Sequence, residues 1–76
     1  MSSIYSDEYQ LVIKLLRSAR IEQRITQTQL AESLGKPQSF VAKVENGERR
    51  LDVIEFATIA RLLSLDPAEI LNAVMK

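Results

Sequence analysis

TQTQLAESLGKPQSFVAKVENG, residues 26–47, reads as two short helices joined by a tight turn, with a signal at each start and at the break between them. Thr26 and Gln29 form a Thr-x-x-Gln pair, in which each side chain can satisfy a backbone N–H left unpaired at a helix terminus. Leu30, Ala31 and Leu34 then make the apolar face of a helix over about 27–34. Gly35 stands where a helix ends in a left-handed residue, and Pro37 has a fixed φ suited to the first turn of the next helix, about 37–45. Val41 and Val44, three apart, face inward, which leaves Gln38, Ser39, Ala42, Lys43 and Asn46 on the outer side. Two helices joined by about three residues make a helix-turn-helix, spanning about 26–46. The second helix of that motif lies in the major groove of DNA.

Outward from this stretch the helical signals continue. Ser6, followed by Asp7 and Glu8, predicts the start of a helix that runs to about Gln23. Tyr9, Val12, Ile13, Leu16 and Ala19 give it an apolar stripe at three- and four-residue spacing. Asn46-Gly47 reverses the chain, and Asp52 with Glu55 repeats the capping-box pattern at the head of a fourth helix through about Leu63. Its apolar residues exceed one stripe, so the expectation is a largely buried helix. Asp66-Pro67-Ala68-Glu69 opens a fifth helix over about 67–75, with an acidic cap and proline at the first helical position. Ile70, Leu71, Val74 and Met75 occupy more than one face of it, so apolar surface is expected to remain uncovered, and a self-complementary dimer through helix 5 is expected to cover it. Residues 1–5 are expected to be a loose terminus, and Tyr5 and Tyr9 to serve a core or an interface rather than base stacking. The fold class is all-α, five helices in a single domain over residues 1–76.

Seventy-six residues suffice for one core but not for a DNA reader joined to a separate sensor domain. With no histidine and no cysteine, a zinc site of the usual kind and a disulfide framework are both excluded, and no cofactor is expected. No acid pair has a spacing that suggests a catalytic cleft, so the expectation is a protein that is not an enzyme. No charged leader precedes an apolar run and no apolar stretch approaches 20 residues, so a cytoplasmic protein without a membrane partner is expected. The formal charge is zero, yet it is unevenly distributed. Residues 11–50 hold Lys14, Arg17, Arg20, Arg24, Lys36, Lys43, Arg49 and Arg50 against four glutamates, a surplus of four positive charges on the segment that contains the motif.

The series Arg20, Thr26-Gln27, Leu30-Ala31, Leu34-Gly35, Gln38-Ser39, Lys43 and Glu45-Asn46-Gly47 resembles the lambda-repressor-like helix-turn-helix family, also called the XRE or Cro type. The likeness covers about residues 10–72. It implies a compact five-helix domain, usually a homodimer on a pseudo-palindromic double-stranded operator, acting as a transcription regulator of the repressor class. A further partner, RNA polymerase or another protein, fits that role. By the same resemblance Gln27 is the phosphate-contacting glutamine at the head of the second helix, placed so that it can also brace Gln38. Gln38, Ser39 and Lys43 take the positions that reach base edges; a glutamine can pair with adenine through two hydrogen bonds and a lysine with the acceptors of guanine. Asn46, Arg49 and Arg50 take positions that face the phosphate backbone. Glu48 beside them repels phosphate. Arg20 and Glu45 match an internal salt bridge between helices 1 and 3, whose loss on one side costs about 3 kcal/mol.

The sequence departs from the family at two places. Pro37 replaces a polar residue and with it a hydroxyl contact to phosphate. Phe40 replaces Ser or Thr at the border between core and DNA faces, where it either packs against helix 2 or meets a thymine methyl, packing being favoured because apolar side chains at a core edge bury. The rival function is a protein-interaction module on the same fold, an antitoxin or a coactivator-like adaptor, with helix 5 docked on a partner protein.

Overall fold

A computed structural model describes residues 6–75; Tyr5, the rest of the expected loose terminus and Lys76 lie outside the described residues. Five helices follow in order: α1 Asp7–Glu22, α2 Gln27–Leu34, α3 Gln38–Glu45, α4 Val53–Leu62 and α5 Pro67–Val74. No strand occurs among the described residues.

The starts form as their residues dictate. The Ser6 hydroxyl accepts from the Tyr9 N–H at 3.2 Å. Both capping boxes close, Thr26 with Gln29 and Asp52 with Glu55. Asp66 accepts from the Ala68 N–H, and Pro67 takes the first helical position of α5. The start of α3 shifts by one residue from the expectation. Pro37 has φ −71° and ψ 156°, so it is the extended residue before the helix, where its ring offers no oxygen for a cap.

Three helices end in the same way. After α2, Gly35 has φ +69° and the Lys36 N–H reaches back to the Ala31 carbonyl at 3.0 Å. After α1 and α4 the left-handed residues are Arg24 and Ser64, and the following Ile25 and Leu65 N–H groups bond the carbonyls of Arg20 and Ala60. Each is the doubled-back C-terminal turn in which an N–H satisfies a carbonyl five residues earlier. Ile25 and Leu65 thereby turn inward onto the core.

That core takes Val12, Leu16 and Ala19 from α1, Leu30 and Ala31 from α2, and Val41 from α3. Phe56, Ile59 and Ala60 of α4, Leu63, and Ile70 and Val74 of α5 complete it. The expectation that α4 is largely buried fails at its ends. Val53 is 77% exposed and Ile54 74%, and Leu62 is also exposed. The helix packs against α2 and α5, and the side of its first turn that carries Val53 and Ile54 is open to solvent. Leu71 on α5 and Met75 just past its end remain exposed, as the distribution of the apolar residues implied.

Candidate nucleic-acid interface

Helices α2 and α3 pack directly on each other, and the Val41 and Val44 side of α3 is buried. That burial fixes which side faces outward: Gln38, Ser39, Lys43 and Asn46 are exposed, with Ala42 half-buried among them. Positions 39, 42, 43 and 46 lie three or four apart, so they share one surface, and Gln38 begins it.

Behind this surface lies a polar network. Arg20 on α1 is buried, and its Nε and Nη2 donate to the two carboxylate oxygens of Glu45 at 2.7 and 3.0 Å. Its Nη1 donates to the Ile25 carbonyl at 2.7 Å. The expected bridge between helices 1 and 3 is therefore formed. Gln27 Nε2 donates to Glu45 Oε1 at 2.9 Å, and Gln27 Oε1 accepts from Gln38 Nε2 at 2.7 Å. The carboxylate can only accept, so it compels Gln27 to present Nε2 inward and Oε1 outward. Gln27 in turn compels Gln38 to give it an N–H. The Oε1 of Gln38 and its second N–H remain free, one acceptor and one donor side by side, as the N7 and N6 edge of adenine requires.

Beyond α3 the geometry is different. The Arg49 guanidinium forms a two-point ion pair with Glu55, at 2.9 and 3.3 Å, donates to the Arg50 carbonyl, and stacks 5.0 Å from the Phe40 ring centroid. Arg50 lies 4.8 Å over the Tyr9 ring, whose hydroxyl accepts from the Leu51 N–H at 3.1 Å. Tyr9 thus holds the loop to α1. Phe40 is half-buried against the core with Lys36 and Arg49 over its ring, which is the packing alternative. The structure brings Gln27, Gln38, Ser39, Lys43 and Asn46 to one side, whereas Arg49 and Arg50 are bound up with the loop's own packing.

The helix-turn-helix family model matches residues 16–70 of the chain. A solved structure, an XRE-family like protein from Pseudomonas syringae pv. tomato str. DC3000, is 50% identical in sequence with a TM-score of 0.84, the match covering 90% of this chain and 83% of that one. The chain belongs to the XRE family of helix-turn-helix proteins. No curated protein matches it. Membership makes it a DNA-binding regulator in general terms, and XRE-family domains of this kind are typically not enzymes. No described helix is long and apolar enough to cross a membrane.

Several contributors escaped the reading of the sequence. The contacts of Gln27 with Glu45, Arg49 with Glu55 and Arg50 with Tyr9 join residues separated by 18, 6 and 41 positions, for which no helical periodicity exists. Gln23 is another: its Nε2 donates to the Leu63 carbonyl at 2.6 Å, tying the end of α1 to the end of α4. The one available signal was Glu55, whose place in a capping box six residues after Arg49 puts a carboxylate at the loop exit.

Proposed function

We propose that the chain is a single-domain, sequence-specific transcription regulator that binds double-stranded DNA as a homodimer in the cytoplasm, with α3 in the major groove. The observation that carries it is the anchored Gln38, with one donor and one acceptor left free beside the exposed Ser39 and Lys43. Base edges are read by Gln38, Ser39 and Lys43. The phosphates are met by Asn46 and by the second Nε2 hydrogen of Gln27, the one Glu45 does not take, and these contacts set the register of the protein on the duplex. Arg49 and Arg50 add to the backbone contacts by turning outward from Glu55 and Tyr9. With few basic contacts, affinity falls with salt at a slope corresponding to about 3–6 phosphates per subunit. Whether the outcome is repression or activation follows from where the site lies relative to the promoter and RNA polymerase.

The dimer reading is supported by apolar surface away from α3. Val53 and Leu71 border one groove with Tyr9, Val12, Leu51 and Phe56, and both side chains are open to solvent. A twofold contact there covers the same patch on both copies, and such a pair sets two recognition helices about 34 Å apart, one turn of DNA.

Selection from random duplexes tests both parts, using the wild-type chain and the Gln38→Ala/Ser39→Ala/Lys43→Ala variant once both are shown to be helical. The expected result is an inverted repeat enriched by the wild type alone. A single half-site would remove the dimer from the reading. No enrichment by either protein would transfer the proposal to an interaction module of the antitoxin or adaptor type.

A further inference from the structure

An open groove runs between α1 and the end of α3, lined by Tyr9, Lys14, Arg17, Glu45, Asn46 and Gly47 among others. Lys14 and Arg17 are three residues apart on α1, so both side chains project from the same flank. Both are exposed. We propose that Lys14 and Arg17 form a phosphate-binding rim on α1, which takes the same stretch of DNA backbone that Gln27 and Asn46 approach. This inference rests on the DNA-binding reading and adds a second helix to its contact surface.

Three observations place a phosphodiester there. Arg17 and Gln27 converge on one atom, Glu45 Oε1, with Arg17 Nε at 3.7 Å and Gln27 Nε2 at 2.9 Å. A strand that reaches Gln27 therefore passes the Arg17 guanidinium. Glu45 does not hold that guanidinium in place, because Arg20 already binds both carboxylate oxygens at 2.7 and 3.0 Å, while the Arg17 side chain is 58% exposed. At that distance, and with the Arg17 guanidinium largely in solvent, the pair is weak and yields readily to a better anion. On the other wall stand Asn46 and Gly47, and Asn46 follows Lys43 by three residues on the outward face of α3. A duplex seated on Lys43 thus has its backbone at the mouth of the groove.

Charge and chemistry agree with that occupant. Lys14 makes no ion pair among the described residues, so its ammonium is free to meet an anion. Arg50 adds a third positive group, stacked on the Tyr9 ring that lines the same groove. Arginine can grip a phosphate with two parallel N–H donors, and lysine serves as a mobile point charge for its neighbour.

The test is the salt dependence of binding to a random-sequence duplex a little over two helical turns long, where the interaction is almost wholly electrostatic. Lys14→Gln and Arg17→Gln are each compared with the wild type and with Arg61→Gln, which removes one exposed charge from α4, outside the groove. Each rim variant is expected to lower the slope of log K against log salt by about 1 and to weaken binding several-fold at ~0.1 M salt, with Arg61→Gln close to wild type. Equal effects from all three would overturn the rim, because net charge alone would then account for them. So would unchanged slopes for Lys14→Gln and Arg17→Gln in a wild type that binds. A wild type that fails to bind duplex at low salt removes the DNA-binding reading itself, and the rim with it. Repeating random-duplex selection with Arg17→Gln separates the two ways in which Arg17 can act. Unchanged sequence preference supports phosphate contact, and an altered preference assigns Arg17 to Glu45 and Gln38 instead.

Discussion

On the α3 face, Gln38 is anchored through Gln27 to a carboxylate that Arg20 grips with two nitrogens, whereas on the α4–α5 face Val53, Ile54, Leu71 and Met75 stand in the open. The first surface is polar and ordered from behind; the second is apolar, and nothing described covers it. The contrast follows from what each contact demands. The base-reading role proposed for Gln38 requires its amide to be held in one orientation, and an unrestrained side chain of that length loses about 0.5–1.5 kcal/mol on being fixed at an interface. An apolar contact is non-directional and needs mainly area, so Val53 and Leu71 require no such support.

The strongest test of the ordered side is to strip the carboxylate of its partner. Arg20→Met should leave the almost buried Glu45 carboxylate with only the more distant Arg17 as a cation, at a cost of about 3–5 kcal/mol, and lower the thermal midpoint by more than about 12 °C. The paired change Arg20→Met/Glu45→Leu should recover much of that stability, since hydrophobic groups of similar volume often replace a buried pair without loss. It should not restore sequence discrimination, because Gln27 then has no carboxylate to orient it. Thermal unfolding together with binding to selected and random duplexes separates these outcomes. Full discrimination in the refolded double variant would show that Gln38 needs no support from within.

The open side is challenged by Val53→Asp. With Val53 77% exposed, the stability of the monomer should change by no more than about 0.5 kcal/mol. In the proposed homodimer, a charge set into the apolar twofold contact should raise the dissociation constant about 100-fold or more, roughly 3 kcal/mol. Sedimentation of the two proteins measures it. An unchanged association constant would move the dimer contact elsewhere on the molecule. Smaller again is Gln38→Ala, for which we expect a loss of about 1–3 kcal/mol against the selected operator and almost none against random duplex. Discrimination that survives this change would place the readout in Ser39, Lys43 or the shape of the DNA.

The sequence disclosed what is local. Capping residues at 6, 26, 52 and 66 marked the helix starts, and three- and four-residue spacing of apolar side chains marked the inward faces. The outward residues of α3 followed from the same periodicity, and the bridge of Arg20 with Glu45 from the family resemblance. What escaped was set by packing between distant segments. Arg49 and Arg50 read as free basic residues after α3, but Glu55 and Tyr9 arrive beside them only when α4 and α1 close around the loop. The exposure of Val53 and Ile54 was hidden for a related reason: composition gives the number of apolar residues in α4, and only the arrangement of its neighbours decides how many are covered.

The ends of α1 and α4 yield the finest prediction, because there the backbone does what glycine does without a glycine. Gly35, Arg24 and Ser64 have φ of +69°, +60° and +61°. For any residue with a Cβ this conformation costs about 1–2 kcal/mol relative to the right-handed one. Gly35 avoids that cost, and a Cβ placed on it would meet nothing within 4 Å. Gly35→Ala should therefore destabilise the domain by about 1 kcal/mol through conformation alone. Ser64→Gly is the reverse change at the same kind of turn. Its gain in the folded state is partly offset by the greater freedom glycine gives the unfolded chain, so we expect a net stabilisation below about 1 kcal/mol. Denaturant midpoints for the two variants should thus move in opposite directions from the wild type, leaving duplex binding untouched in Ser64→Gly. Should Ser64→Gly lower the midpoint, the unfolded chain would dominate the balance, and the inward turn of Leu65 would have to be credited with holding Ser64 in place.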